Sequence, residues 1–318
     1  MPRPSMTRWH SALVAAALLC GVLPAQAQGQ ASPDAAPPSL NQPGPISPEV
    51  RQAEKQAAWK AAMAAATRGP AEIALLDQGR LALPNGMAFI PKPAASRLLS
   101  AYGNRPGSTL AGMVALPQDD TPWWVIINWV PDGYVKDDEA AKLDPDATLA
   151  SLREAAADGN KERVQRGFPE LELLGWTQPP AYDPAAHRLT WSLRVKASDE
   201  DEGDATLNFN TRALGRDGYF SVNLLTSPDR IGADRQVSAG LLSGLDYLDG
   251  KRYTDFNAST DHVAEYGLAA LLGVVVAKKI GLLALAGLFL AKFAKVGLVA
   301  VLGLGAAARR MFRRTPRA

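Results

Sequence analysis

A nearly continuous apolar run over residues 264–308 constrains this chain more than any other feature. As one helix, a run of this length would extend for about 67 Å at about 1.5 Å per residue. The hydrocarbon core of a bilayer is only about 30 Å thick. We therefore expect a membrane-anchoring segment in which one part forms a C-terminal transmembrane helix and the rest stays outside the hydrocarbon.

Four lysines interrupt the run and define two alternative spans. They are Lys278, Lys279, Lys292 and Lys295. A span over residues 268–291 buries the first two, whereas a span over residues 280–304 buries the last two. Two central lysines cost about 5–7 kcal/mol, and the apolar residues of either window return about 4–8 kcal/mol on the same insertion scale. Both spans therefore stay open.

The four lysines share one side of the predicted helix. They fall within about half of its circumference when successive residues are placed about 100° apart. This arrangement fits a span whose lysine side faces water, an integral membrane protein partner or a second copy of the chain. It also fits an in-plane amphipathic stretch joined to a shorter span. We interpret the lysines as partner contacts, while the opposite side contacts membrane lipid.

The two ends of the chain predict its topology. Residues 1–27 are typical of a cleaved signal peptide, with arginines before a short apolar stretch and small residues at positions 25 and 27. Residues 309–318 contain five arginines, and the positive-inside rule places such a cluster in the cytoplasm. A two-helix hairpin would return the arginines to the outer side. We therefore expect a single-pass protein of the bacterial inner membrane with a periplasmic main domain and a cytoplasmic C-terminus.

Cysteine usage and charge exclude several classes of function. Cys20 is the only cysteine and lies in the predicted signal peptide, so the mature chain would have no disulfide, thiolate metal site or cysteine nucleophile. Residues 28–263 carry a net charge of −8, and the residues from 264 onward carry +8. An acidic main domain does not suit nucleic-acid binding, which needs a positive field.

The pattern between the two ends predicts a linker and one domain. Residues 28–48 are rich in proline and alanine without an apolar period, which is typical of a disordered linker. Residues 49–263 alternate between strand-like runs and a few helices that begin at prolines, such as Pro48 and Pro145. The dipeptide Asn85-Gly86 is a hairpin signal. We expect an extracytoplasmic α+β domain with a largely antiparallel sheet.

Four stretches of the sequence resemble a known family. They are "NWVPDGYVKDDEAAKLD", "GWTQPPAYDPAAHRLTWSL", "LNFNTRALGRDGYFSVNLL" and "GKRYTDFNASTDHVAEYGLAALLG". In these strings the chain is similar to domain-of-unknown-function family 2167, a family of bacterial membrane-anchored proteins. The resemblance implies an exported domain with a C-terminal membrane segment. It implies no catalytic residues.

Motifs for catalysis, cofactors and metals are missing from the sequence. Only His187 and His262 remain after the signal peptide, and neither has a second histidine at ligand spacing, so we predict no metal site. No phosphate loop, dinucleotide fingerprint or G-x-S-x-G motif occurs, so we predict no cofactor. The acidic residues 199–204 lack the alternating spacing of a calcium loop and are typical of a solvated turn.

Two groups of residues on predicted strands are candidates for binding. Trp123 and Trp129 would share one face of a strand, as core packing or as a ligand or partner surface, because Trp is enriched at binding hot spots. Asn208, Asn210 and Arg212 alternate with apolar neighbours and would share a second face. An aligned polar face with an arginine could recognise an anion or a peptide, or could simply face solvent.

A third group precedes the apolar run. Tyr253, Asp255 and Asp261 could position the domain on the bilayer or could form a capped helix start. The lack of a catalytic motif favours a non-enzymatic function, namely a binding or scaffolding module that acts through its periplasmic domain and its lysine-bearing membrane helix. The alternative is an envelope hydrolase whose site is assembled from distant residues such as His187, Asp255 and Asp261.

Overall fold

A computed structural model describes residues 48–117 and 123–272. The predicted signal peptide, nearly all of the predicted linker, the four lysines and the basic tail lie outside these residues. Within the described ranges, no helix is long and apolar enough to cross a bilayer.

The described residues form four α-helices and eleven strands. The helices are α1 (Pro48–Ala65), α2 (Lys92–Ala101), α3 (Pro145–Gln165) and α4 (Ile231–Ser243). The strands of the first half are β1 (Thr67–Arg68), β2 (Ala71–Leu75), β3 (Gly79–Leu83), β4 (Ala88–Pro91), β5 (Leu110–Ala115) and β6 (Trp124–Val130). Those of the second half are β7 (Leu171–Asp183), β8 (Arg188–Ala197), β9 (Thr206–Leu214), β10 (Tyr219–Thr226) and β11 (Leu245–Tyr247).

Two antiparallel sheets organise these elements. The large sheet has eight strands in the order β1-β4-β5-β6-β10-β9-β8-β7, and the small sheet has three in the order β11-β3-β2. Neighbouring strands are antiparallel throughout. The predicted α+β fold with a largely antiparallel sheet is therefore confirmed.

Helices α1 and α3 begin where the sequence predicts them, at Pro48 and Pro145. Asp144 caps α3, since its carboxylate accepts hydrogen bonds from the backbone N–H groups of Asp146 and Ala147, both at 3.0 Å. Pro145 then occupies the first turn, where a missing N–H costs nothing. Near the other end of α3, the Asn160 side chain exchanges two hydrogen bonds with the backbone of Leu171, which fixes the helix against β7.

The hairpin expected at Asn85-Gly86 is wrong. Gly86 has φ +80° and does form a turn, but this turn joins β3 of the small sheet to β4 of the large sheet. Asn85-Gly86 therefore forms a turn between the two sheets and not a turn within a hairpin. The strand that pairs with β3 in the hairpin sense is β2, which precedes it.

The two faces of the large sheet are covered differently. One face, which carries Trp124 and Ile126, has two covers. Over β4–β6 it packs against α1 and α2, and over β7–β9 it packs against α3 and residues 268–272. The opposite face, which carries Val125 and Ile127, packs against the small sheet and α4. Alternate residues of β6 thus contribute to separate cores, as the period of two in a strand requires.

The last described residues belong to the domain core. Leu268–Leu272 form a 3-10 helix, and the side chains of Leu268, Leu271 and Leu272 are at most 2% exposed. They pack with Trp191 and Leu193 of β8. The boundary expected at Val263 therefore lies inside the folded unit. A membrane span over residues 268–291 would have to withdraw these leucines from the core, whereas a span over residues 280–304 would not.

We expect Leu271→Ala to destabilise the domain by about 2–5 kcal/mol, because a buried leucine leaves a cavity when it is truncated. The matched control is Leu248→Ala, since Leu248 is 38% exposed and should cost less than about 0.5 kcal/mol. Urea unfolding of the full-length chain, followed by tryptophan fluorescence, gives both values. Equal effects of the two substitutions would show that Leu271 is not a core residue.

Candidate functional site

Three segments meet at one end of the large sheet and form what we call the C-terminal junction. They are the loop 131–140 after β6, the turn 184–187 between β7 and β8, and residues 252–272. The backbone of Tyr134 forms a parallel bridge to Val263. Its N–H donates to the carbonyl of His262 at 2.8 Å, and its carbonyl accepts from the N–H of Ala264 at 2.9 Å. Residues 262–264 are therefore fixed to the loop after β6, at the start of the predicted membrane segment.

Stacked rings fill the centre of the junction. The ring of Tyr134 lies between those of Tyr253 and Phe256, with centroids 4.4 Å and 3.8 Å away. The imidazole of His187 lies on Tyr253 at 4.2 Å. The Tyr253 hydroxyl donates to the carbonyl of Val135 at 3.0 Å. The rings thus join all three segments through apolar contact and one buried hydrogen bond.

His187 and Asp137 form the polar part of the junction. The Tyr182 hydroxyl donates to Asp137 Oδ2 at 2.6 Å, and His187 Nδ1 lies 3.7 Å from the same oxygen. Burial, together with the bond to Asp137, raises the pKa of Tyr182, so its hydroxyl stays protonated and remains a donor. His187 has φ +48°, an uncommon conformation for a non-glycine residue, and its carbonyl accepts from the N–H of Leu214 at 3.0 Å.

Close approach of the backbone explains a glycine in this junction. Gly133 has φ +90°, and a Cβ atom there would come within 2.7 Å of the ring and the carbonyl of His262. Nearby, the Tyr266 hydroxyl donates to Asp132. Burial is the main cause that raises the pKa of Tyr266, so this donor also stays protonated.

An ion pair holds the segment before Val263. Arg216 makes a bidentate contact with Asp261, with Nε–Oδ2 at 2.7 Å and Nη2–Oδ1 at 2.8 Å. The backbone N–H of Asn257 donates to the same carboxylate at 2.8 Å. These bonds, the one from Arg216 foremost, hold the pKa of Asp261 well below its usual range. Asp261 is therefore a structural carboxylate.

The three residues suggested for a hydrolase all lie in the junction, but His187 makes no hydrogen bond or ion pair with Asp255 or Asp261. Asp261 is occupied by Arg216, and Asp255 accepts from the backbone N–H of Arg252 at 2.9 Å, which closes a short turn. The carboxylate that His187 approaches is Asp137. Sequence reasoning missed Asp137 because it is 50 positions from His187 along the chain, and only the arrangement of the sheet brings the two together.

The tryptophan candidates are core residues. Trp123 is 1% and Trp129 is 6% exposed, and both belong to the core beneath the small sheet. The ring of Trp129 packs against Phe220 at 5.0 Å between centroids. Trp124 points to the other face and stacks on Trp59. Trp123 and Trp129 share one face, as their spacing predicts. Of the two interpretations, core packing is the one that their burial fits.

The polar face of β9 is not a solvent face. Asn208 and Asn210 are 0% and Arg212 is 2% exposed. The Arg212 guanidinium lies 4.7 Å from the centre of the Trp191 ring, a cation–π contact. Strand pairing places further buried polar residues beside them on β6 and β10. Together they form a polar seam of six residues: Asn128, Asn208, Asn210, Arg212, Ser221 and Asn223.

The seam lies between the sheet half under α1 and α2 and the half under α3. Asn223 Nδ2 donates to Asn210 Oδ1 at 2.9 Å, and Asn210 Nδ2 donates to the carbonyl of Asn208 at 3.3 Å. Within the described part of the chain, both amide atoms of Asn208, Oδ1 of Asn223 and Nε1 of Trp191 have no hydrogen-bond partner. A buried polar group in this state costs about 1–3 kcal/mol, and the hydrogen bonds among Asn223, Asn210 and Asn208 offset part of the cost of burying the seam.

The candidates therefore fall into separate places. Tyr253, Asp255 and Asp261 come together in the C-terminal junction, whereas Asn208, Asn210 and Arg212 come together in the seam. The four lysines lie outside the described residues. Over residues 48–117 and 123–272, no group of three or more histidine, cysteine or acidic side chains could hold a metal ion.

The described residues fold as an α+β domain built on a large antiparallel sheet. The family described as Protein of unknown function (DUF2167) matches residues 67–303, so this chain belongs to that family, as the resemblance implied. No curated protein matches the sequence. The solution structure of cyanobacterial PsbP (CyanoP) from Synechocystis sp. PCC 6803 matches 54% of this chain and 88% of its own, with 14% identity and a TM-score of 0.35. That score is too low to carry an argument.

We expect Arg216→Gln to lower the thermal midpoint at pH 7 by a few degrees, with a deficit that shrinks as the pH falls below about 4. The Asp261 carboxylate has a lower pKa folded than unfolded, so its contribution is complete above the unfolded pKa and is lost on acidification. Thermal melts at pH 7, 5 and 3 measure the deficit. Lys161→Gln is the control, because its pair with Asp158 is exposed. A deficit for Arg216→Gln that does not change with pH would contradict this assignment.

Proposed function

We propose that this chain is a single-pass protein of the bacterial inner membrane whose periplasmic domain is a binding or scaffolding module. The lysine-bearing helix contacts an integral membrane protein or a second copy of the chain. The proposal takes its topology from the signal-peptide pattern and the terminal arginines. The class of function is inferred from the packing of the last described residues into the domain core.

The observation that carries the proposal is the burial of Leu268, Leu271 and Leu272 in the domain core. Residues 273–279 alone separate this core from the span over residues 280–304. An enzyme on a membrane tether works without a fixed orientation, because its substrate diffuses to it. A scaffold gains from a close connection between domain and helix, since the partner on the helix then determines where the domain is presented. The Arg216–Asp261 pair and the Tyr134–Val263 bridge support the same interpretation.

The lysines give the module a second contact surface. A span over residues 280–304 contains Lys292 and Lys295, which are costly against lipid and are tolerated where they face protein or water. Lys278 and Lys279 then lie just outside this span, at its periplasmic end. A partner with acidic or carbonyl groups at matching depths would satisfy the two buried lysines.

We expect substitution of all four lysines by leucine to remove the crosslinks between this chain and its partner in native membranes. The control replaces three lysines of the domain by leucine, namely Lys60, Lys136 and Lys161, and should leave the crosslinks intact. An engineered cysteine at Asp138 should react with an impermeant thiol reagent on spheroplasts, and one at Arg317 should not. The proposal would be wrong if the wild-type chain formed no crosslinks. It would also be wrong if the cysteine at Arg317 reacted and the one at Asp138 did not.

A hydrolase is the second candidate, and the contact between His187 and Asp137 favours it. A carboxylate near one nitrogen of an imidazole orients the ring for work as a general base. His187 is also partly exposed, so that a substrate could reach it. The set of residues differs from the one that the sequence suggested, because Asp137 replaces Asp255 and Asp261.

We expect the purified full-length chain to show no turnover of ester, phosphate or glycan substrates, because the domain acts by binding. The matched variant is His187→Asn, which keeps a polar side chain that tolerates a positive φ. Turnover by the wild type that disappears in His187→Asn, with the thermal midpoint unchanged, would favour the hydrolase over the binding module. Colorimetric assays and melting curves supply both measurements.

A further inference from the structure

A pocket of about 220 Å³ lies on the rim of the C-terminal junction. It opens between the start of β8, the end of β9, β11 and the turn at residues 253–255. Residues that differ sharply in exposure line it. Leu214, Leu245 and Tyr253 form a buried floor, and Arg188, Asp246 and Arg252 stand at the rim.

Two guanidinium groups stand at the rim. Arg188 Nη2 donates to the carbonyl of Leu242 at 3.1 Å. Arg252 Nη2 contacts Asp249 Oδ1 at 2.7 Å, in a pair whose side chains are 56% and 94% exposed. An exposed pair of this kind is worth little, so Arg252 can turn to another anion at small cost. Each guanidinium carries five N–H donors, so both arginines can bind a further acceptor. Asp246 is the acidic side chain of the rim and is exposed.

The floor is apolar and held in place. The Tyr247 hydroxyl donates to the carbonyl of Ala213 at 2.7 Å, which fixes β11 against β9. The N–H of Leu214 donates to the carbonyl of His187 at 3.0 Å, which fixes β9 against the turn before β8. The face of Tyr253 lies against His187 at 4.2 Å. The volume is below the roughly 300–1,000 Å³ of sites for drug-sized ligands, so the floor suits a single ring or a short acyl group.

We propose that this pocket binds a small soluble molecule that joins an anionic group to a compact apolar body. The anionic group, a phosphate or a carboxylate, lies between Arg188 and Arg252, and the apolar body covers Leu214, Leu245 and Tyr253. Arginine suits this role because its planar donors match both kinds of anion. The proposal is independent of the partner at the membrane helix, since it uses residues of the folded domain alone.

Phenyl phosphate is the probe, and isothermal titration calorimetry of the full-length chain in a zwitterionic detergent is the measurement. We expect saturable binding about tenfold tighter than that of inorganic phosphate or benzyl alcohol, because each of these has only one half of the recognised chemistry. Arg252→Gln and Arg188→Gln should each weaken binding about tenfold.

The matched control is Arg194→Gln. Like Arg188, Arg194 lies on β8 and uses Nη2 to donate to a backbone carbonyl, that of Glu202 at 3.2 Å, but it does not line the pocket. Its substitution should leave binding unchanged. Arg252 is exposed, so its substitution keeps the test valid even where Arg188→Gln fails to fold. A thermal melt of each variant separates lost binding from lost structure.

Three results would overturn the proposal. They are absence of saturable binding of phenyl phosphate, equal affinity for inorganic phosphate, and binding that Arg252→Gln leaves intact in a folded protein. A final arm adds vesicles of phosphatidylcholine with or without phosphatidate. Displacement of phenyl phosphate by phosphatidate vesicles alone would assign the pocket to a lipid headgroup and would also reject a soluble ligand.

Discussion

The burial of residues 268–272 is the constraint on which the rest of the architecture depends. Leu268, Leu271 and Leu272 complete the core that β7, β8 and α3 share. They reach it because the backbone of Tyr134 bridges Val263 and directs the chain back across the sheet end. Without this return, Trp191 and Leu193 would lose part of their cover, and about 25 cal/mol of stabilisation would be lost for each Å² of apolar surface exposed. Apolar residues that resemble the start of a membrane segment therefore serve the domain.

The polar seam shows that one sheet face can carry two separate cores. The residues under α1 and α2 and those under α3 are apolar, and Asn208, Asn210 and Arg212 lie between them. Asn208 is enclosed without a hydrogen-bond partner for either amide atom. The two helical covers are thus joined to the sheet by their own apolar contacts and not by one continuous core. Polar groups on such a face gain less free energy from burial than apolar groups do, because the cost of their desolvation offsets part of it.

Local patterns in the sequence predict the elements, and their arrangement escapes prediction for physical reasons. Asp144-Pro145 predicts the start of α3 because capping and a missing N–H act within one turn. The alternation in β9 predicts which residues share a face, but burial depends on the elements that cover that face, so Asn210 was open to a solvent-facing interpretation. The turn at Asn85-Gly86 was predicted, but its partners were not, because a turn fixes a direction change and not the sheet that follows. His187 and Asp137 are close in space only because the strand order of the large sheet places the loop after β6 beside the turn before β8.

Tyr253 belongs both to the floor of the pocket and to the ring stack of the junction, and this double role has an energetic consequence. Its ring contacts Tyr134, whose backbone is bonded to His262 and Ala264. Such continuity of contacts does not by itself establish coupling between sites. Stabilisation by mass action does not require such coupling. A ligand that binds only the folded arrangement stabilises it, and the stabilisation grows with the logarithm of the ratio of ligand concentration to dissociation constant. A ligand on Tyr253 would therefore stabilise the same junction that holds residues 252–272 against the loop after β6, even if no residue of the junction moves.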